Sequence, residues 1–290
     1  MGRVSNAMKV LVTGAKGQLG HDVVLALTER DIACLAVDRD DFDITDRAAT
    51  MAAVSFHRPD AVVHCAAFTA VDRAEDEPKL CHAVNVIGTR NVAEASNAVG
   101  AKLLYVSTDY VFDGTGNKPW EVDDAPNPIN TYGLSKWQGE EAVRAATEKH
   151  FIVRIAWVFG VNGTNFVKTM LRLAERGEVG VVSDQVGSPT YTKDVARLFC
   201  DMIVSEQYGT YHATNAGYCS WYEFAREIFR VANVSVRTNP LTTSQYPTKA
   251  RRPLNSRLST GSLQCAGFNM LPPWQDALVR CLSELGHVPA

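Results

Sequence analysis

The sequence predicts an α/β protein: a doubly wound parallel sheet followed by a smaller C-terminal lobe. Three observations predict it. Short β-branched runs alternate with helical stretches through the first half of the chain. Several of those runs are continuously apolar, as strands become when helices cover both faces of a parallel sheet. A glycine-spaced turn lies directly between the first run and the first helical stretch.

Strands are expected at Lys9–Thr13, Ile32–Val37, Ala61–Cys65, Lys102–Ser107 and Phe151–Ala156, with helices near 18–30, 46–57, 78–99 and 132–149. Such a βαβα order places ligands outside the carboxyl ends of the strands. After about residue 160 the rhythm loosens. A helix is expected near 165–177, a Gly/Ser/Pro turn region at 183–190 and another helix at 193–206. Ser220-Trp-Tyr-Glu223 has the form of a capping box, opening a helix to about 233. A Pro- and Thr-rich connection leads to a last helix after Pro272-Pro273. The expected division is an appended leader at 1–7 with Met8 as the natural start, a nucleotide-binding domain at 8–160, and a substrate lobe at 161–290 partly interleaved with it.

Composition removes several function classes. With 46% apolar and 21% charged residues in 290, the chain can bury a full core. A net charge of −3 without long runs of one sign gives no footprint for nucleic acid or anionic lipid. Seven cysteines, odd in number and lacking any Cys-x-x-Cys pair, read as reduced core residues of a cytoplasmic protein. The seven histidines fall in no ligand spacing, so no metal site is expected. No stretch reaches the roughly 18 apolar residues of a membrane span.

Gly14-Ala-Lys-Gly17-Gln-Leu-Gly20 follows the first strand and runs into a helix. Glycines at this spacing permit a tight turn and let backbone approach a pyrophosphate, while the helix N-terminus offers free N–H groups. Asp38, at the end of the second strand, stands where a carboxylate would hold the adenosine ribose hydroxyls. A Rossmann-type dinucleotide site follows from this context. Arg39 pairs with a 2′-phosphate or is a solvated surface charge, which leaves both NADPH and NADH open. Asp43-Ile44 would lie near the adenine, and the small Ala66-Ala67 pair would line the cofactor path.

Tyr132-Gly-Leu-Ser-Lys136 begins a helix with tyrosine and lysine on one face. A phenol normally titrates near 10, and a neighbouring ammonium is expected to lower it toward the range useful for acid–base work. Lys136 could also hold the nicotinamide ribose. Ser107-Thr108-Asp109-Tyr110 ends the fourth strand at the edge where the site must lie. Thr108 is the preferred donor to a substrate carbonyl, with Ser107 as the competing structural hydroxyl.

Gly-x-x-Gly-x-x-Gly with Tyr-x-x-x-Lys resembles the extended short-chain dehydrogenases. Five longer strings are similar to the dTDP-4-dehydrorhamnose reductase family: 67–75, Ser-Thr-Asp-Tyr-Val-Phe-Asp-Gly at 107–114, Arg-Ile-Ala-Trp-Val-Phe-Gly at 154–160, Asp-Gln-Val-Gly-Ser-Pro-Thr at 184–190, and 250–258. The likeness spans nearly the whole chain from Met8. It implies reduction of the 4-keto group of a dTDP-linked 4-keto-6-deoxysugar, with Tyr132 as proton donor, Thr108 at the carbonyl oxygen and Lys136 tuning Tyr132. It places Gly17, Gln18, Leu19, Asp38, Asp43, Ile44, Ala67, Phe68 and Thr69 around the cofactor. Thr108, Asp109 and Trp157 fall at sugar-nucleotide positions, and Trp157 alternatively packs the lobe. Asn165, Arg251 and Arg252 are looser candidates for substrate polar groups, arginine being suited to a diphosphate.

The chain also departs from some members, in which carboxylates of two subunits bind Mg²⁺ at a homodimer contact. Asp22 and Glu284 keep two of those carboxylates, but Lys193 stands in place of a third and opposes a cation. Two rival functions remain: another sugar-nucleotide enzyme (reductase, epimerase or dehydratase), and a non-catalytic subunit resembling the regulatory subunit of methionine adenosyltransferase. Dehydratases carry Asp-Glu after the catalytic threonine, whereas Thr108 precedes Asp-Tyr.

Overall fold

The computed structural model describes residues 8–288, so the expected leader at 1–7 lies outside the described residues. The chain opens with β1 (Lys9–Thr13), α1 (Gln18–Glu29), β2 (Ala33–Val37), α2 (Arg47–His57) and β3 (Ala61–His64). Two short helices follow, α3 (Val71–Asp76) and α4 (Pro78–His82), then a π-helical stretch at Ala83–Gly88 that continues into α5 (Thr89–Ala98). Next come β4 (Lys102–Thr108), α6 (Thr131–Ala146) and β5 (His150–Ile155).

The lobe begins with β6 (Val158–Phe159), α7 (Phe166–Ala174), β7 (Glu178–Val182), β8 (Val186–Gly187) and β9 (Thr190–Tyr191). The chain then returns to the large sheet through α8 (Thr192–Val204) and β10 (Gly209–His212). It ends with β11 (Cys219–Ser220), α9 (Trp221–Val231), β12 (Arg237–Leu241), β13 (Asn255–Ser256), α10 (Gly261–Cys265) and α11 (Trp274–Glu284).

The large sheet is parallel throughout, in the order β2-β1-β3-β4-β5-β10. Because side chains alternate across a strand, the apolar runs feed two cores at once. Val10, Val12, Val63 and Val153 pack beneath Val23 and Leu27 of α1 and Val195, Phe199 and Ile203 of α8. Leu11, Val62, Leu103 and Ile152 face Val54 of α2, Val92 of α5 and Val143 of α6. The chain passes from β1 to β2 on one side and to β3 on the other. This reversal makes the carboxyl ends of β1 and β3 the place where a crevice opens.

A separate core joins Phe159, Met170, Phe224, Ile228, Trp274 and Leu278 in the lobe. Ser220 caps α9 as expected: its hydroxyl accepts from the Glu223 backbone N–H, and the Glu223 carboxylate accepts from the Ser220 N–H. The helix expected at 78–99 runs without a gap from Pro78 to Ala98, but its middle, Ala83–Gly88, is wound as a π stretch. Pro78 starts it, as proline can in a first turn, and the widened π turn sets Asn85 against the loop after β3. The parallel β7–β12 pair and strand β10 were not anticipated, since short strands without turn signals have no sequence period to betray them.

Candidate active site

The turn after β1 needs glycine for steric reasons. A Cβ on Gly20 would lie 2.1 Å from the Gly14 carbonyl oxygen, and Gly14 adopts φ +67°, where a Cβ would lie 2.7 Å from the Ala66 backbone. α1 therefore starts hard against the strand ends. Gly17 at its N-cap provides no side-chain acceptor, so the first-turn N–H groups face the cleft without a protein partner. Asp38 is pinned beside them: it accepts from the Lys16 N–H at 3.0 Å and from the Arg39 N–H at 2.8 Å.

A cleft of about 800 Å³ opens here. Gly14, Gly17, Gln18, Leu19, Gly20, Asp38, Arg39, Asp43 and Ile44 line its nucleotide end. Ala66, Ala67, Phe68 and Thr69 form its wall, and Thr108, Asp109, Tyr132, Lys136 and Trp157 its far end. The structure thus brings all the expected catalytic and cofactor residues into one cavity.

Tyr132 stands in the first turn of α6, whose N-cap Asn130 accepts from the Gly133 N–H at 2.8 Å. The expected tuning of Tyr132 by Lys136 is outweighed by burial. Burial, and next the Asp109 carboxylate, push the phenol well above its ordinary value, while the Thr108 hydroxyl works in the opposite direction. Lys136 is itself buried and is pushed down to about 7, with Glu140 opposing that shift. Its Nζ donates to the Val106 carbonyl at 2.6 Å and lies 4.1 Å from the centre of the Tyr105 ring. The reason is desolvation: buried at the end of the cleft, both groups favour their neutral forms.

The two hydroxyls that end β4 have separate duties. Ser107 donates to Glu140 Oε1 at 2.6 Å, and Glu140 accepts both Nε and Nη2 of the buried Arg154 at 2.8 Å. Ser107 is therefore committed to a structural network. Thr108 faces the cleft, donating to Asp109 Oδ1 at 3.0 Å and accepting from the Tyr110 N–H at 3.2 Å.

Trp157 has both of the expected roles in view. It lines the cleft and also stacks on Trp221, with ring centroids 3.6 Å apart. Asn165 requires correction as a substrate contact. Its amide donates to Gln18 Oε1 and the Gly160 carbonyl, both at 2.7 Å, and its oxygen caps α7, so every polar atom is spent inside the protein. Arg252 is likewise off the cleft wall, held by Asp72 at 2.6 Å and by the Tyr110 hydroxyl at 3.1 Å. Arg251 is exposed and offers only its carbonyl, to Asn130. At the other candidate cluster, Lys193 is ion-paired with Glu284, and Asp22 is buried nearby.

Sequence reasoning missed two supporting residues. Asn85, fully buried, grips the loop after β3 by accepting from the Phe68 N–H at 2.8 Å and donating to the Phe68 carbonyl at 3.1 Å. It also donates to Ser135 Oγ at 2.9 Å, tying that loop to the Tyr132 helix. Nothing in a helical pattern marks such an asparagine. Gly187 gives the Trp157 ring its space, because a Cβ there would approach the indole to 2.7 Å.

The comparisons with known proteins agree with this geometry. The family described as the RmlD substrate binding domain matches residues 8–287. The dTDP-4-dehydrorhamnose reductase of Streptomyces griseus is 43% identical, covering 95% of this chain and 93% of that protein. The spore coat polysaccharide biosynthesis protein SpsK of Bacillus subtilis (strain 168) is 42% identical, with 95% and 97% covered. Among solved structures, the dTDP-4-dehydrorhamnose reductase of Bacillus anthracis str. Ames in complex with NADP superposes with a TM-score of 0.94 at 44% identity, covering 96% of this chain and 99% of that one. This chain belongs to the dTDP-4-dehydrorhamnose reductase family.

Proposed function

We propose that the protein reduces the 4-keto group of dTDP-4-dehydro-β-L-rhamnose to give dTDP-L-rhamnose, using NADPH or NADH. The observation that carries this reading is the single cleft joining the Gly14–Gly20 turn to Thr108 and Tyr132. The turn fits a dinucleotide, since any Cβ on Gly20 would fill the space its backbone keeps closed and the helix N–H groups remain free for a pyrophosphate. Asp38 would hold the adenosine ribose, and Arg39 beside it would meet a 2′-phosphate, in keeping with the NADP held by the Bacillus anthracis relative.

The dinucleotide, when bound, supplies hydride to C4 of the sugar. Thr108 donates to the carbonyl oxygen, and the neutral phenol of Tyr132 supplies the proton that this oxygen needs once reduced. Burial keeps the phenol in its protonated form, the form that has a proton to give. Lys136 would hold the nicotinamide ribose and regain its full charge against those hydroxyls. Trp157 offers a flat face to the deoxysugar.

A dehydratase is disfavoured by Tyr110, which stands where such enzymes place a second carboxylate. A purely regulatory role is disfavoured by the complete set of Thr108, Tyr132 and Lys136 in one cavity. The test is absorbance at the reduced-nicotinamide band with enzymatically made dTDP-4-keto-rhamnose and each cofactor. Substrate-dependent loss of absorbance supports the reading, and its absence with both cofactors contradicts it.

A further inference from the structure

Lys136 rests on a residue that the reaction above does not use. Alternate side chains of β4 face α6, and two of them meet successive turns of that helix: Tyr105 meets Lys136, and Ser107 meets Glu140. Tyr105 is fully buried, outside the cleft lining. Its hydroxyl donates to the Lys136 carbonyl at 3.2 Å, and the centre of its ring lies 4.1 Å from Lys136 Nζ. A ring face attracts a cation within about 6 Å of its centre, most strongly where water is excluded. The approach of strand and helix is built for this contact. A Cβ on Gly139, one turn past Lys136, would lie 2.3 Å from the Tyr105 hydroxyl oxygen. The His64 ring stacks on Tyr105, with centroids 5.8 Å and planes 29° apart, and holds the phenol ring in that attitude.

We propose that Tyr105 is the positioning residue for Lys136: its ring face keeps the ammonium charged and at the place where a nicotinamide ribose would receive it. This rests on the reductase reading, which gives Lys136 a ribose to hold. A buried ammonium must either lose its proton or find a partner that favours the charge. A carboxylate in contact would also claim the protons, whereas a ring face attracts the charge and leaves the N–H groups on its far side free to donate. One of those groups already reaches the Val106 carbonyl at 2.6 Å.

The other groups around Lys136 do not fill this role. Cys65 follows β3, Cys81 stands on α4 and His64 on β3, and burial keeps both thiols and the imidazole uncharged. Tyr132, on the same face of α6, is held protonated. Glu140, one turn along, attracts the ammonium but is committed to Arg154 at 2.8 Å and Arg144 at 2.9 Å. Burial lowers Lys136 to about 7, so the ring's attraction bears on how much of it is charged at neutral pH.

Fluorine withdraws electron density from a ring face while leaving its volume almost unchanged, so it separates attraction from packing. The experiment takes Tyr105→Phe as parent and installs mono-, di- and trifluorinated phenylalanine at the same position. The Lys136 titration is read in the free protein by NMR of isotope-labelled lysine, its signal assigned by its loss in Lys136→Met. The Kd for NADPH is measured over the same pH range. Tyr105→Phe, which keeps the ring, is expected to keep the wild-type midpoint. Across the fluorinated series the midpoint should fall stepwise by about one pH unit in total, about tenfold in the protonation equilibrium, with the NADPH profile moving in step. Coincident titrations across the series overturn the proposal, and so does an NADPH profile that stays fixed while the titration moves. Should Tyr105→Phe not fold, native tyrosine and difluorotyrosine at position 105 are compared by the same criterion. Failure of the reductase reading looks different: the titration then shifts with fluorination, but the wild type binds no NADPH at any pH.

Discussion

Trp157 and Trp221 lie face to face, 3.6 Å between ring centroids and 12° from parallel, although Trp157 must adopt φ +49° to do so. A bulky residue in the left-handed region costs on the order of 1–3 kcal/mol and persists only where packing dictates it. The stack fixes the indole that closes the substrate end of the cleft.

Gly187→Ala tests that closure. The added methyl would meet the indole at 2.7 Å, and the ring must move. The expected result is a KM for the sugar nucleotide raised about tenfold, equivalent to about 1.4 kcal/mol, with cofactor affinity unchanged. Steady-state kinetics and quenching of tryptophan fluorescence by NADPH separate the two effects.

Much of this site can be read from residue order, and some of it cannot. The glycine turn, Asp38, Thr108 and the Tyr132/Lys136 pair are local patterns at the ends of strongly apolar strands, so spacing alone places them on one edge. Asn165 and Arg252 were misread because their side chains are claimed by Gln18 and Asp72, partners 147 and 180 residues away. The Lys136–Tyr132 relation was misread for another reason. Helical spacing gives a shared face but says nothing about burial, and desolvation decides both titrations. Asn85 was invisible because a π turn has no signature in apolar periodicity.

Lys136, lowered to about 7 by burial, predicts a pH-dependent cofactor affinity. Its ammonium is present below that value and is lost as pH rises through it. If the charged form holds the ribose, the Kd for NADPH weakens above pH 7 by up to about tenfold per unit, following proton linkage. Lys136→Met should bind more weakly at pH 6.5 and show a flatter dependence. Fluorescence titration between pH 6 and 9 checks this.

The Glu140–Arg154 pair is fully buried and also anchors Ser107, next to the catalytic threonine. Removing only the arginine leaves the Glu140 carboxylate fully buried, with Arg144 still paired to it at 2.9 Å. Arg154→Met is expected to cost about 3 kcal/mol in urea unfolding, the low end for breaking a buried pair, whereas the double replacement Glu140→Gln with Arg154→Met should cost markedly less.

Two buried histidines set the acid limit of the fold. His64 lies between the hydroxyls of Thr13 and Thr89, and His212 sits beside Arg154; burial pushes both down to about 3. The unfolded chain takes up these protons near 6.5, so this stability is complete above 6.5 and is lost as pH falls toward 3. The loss reaches about 1.4 kcal/mol per pH unit for each histidine. Asp109, raised to about 6, offsets part of it between pH 6 and 4. The urea midpoint should fall from pH 7 to pH 5, and by about half as much in His212→Gln.

The central claim is that the Tyr132 phenol delivers a proton to a ketone in this cleft, and Tyr132→Phe addresses it with the loss of one oxygen atom. NADPH oxidation is followed with dTDP-4-keto-rhamnose, alongside the Kd for NADPH. The expected result is kcat reduced about 10²–10⁴-fold with cofactor affinity within about twofold of the wild type. A variant that binds NADPH normally and turns over at the wild-type rate would contradict the account.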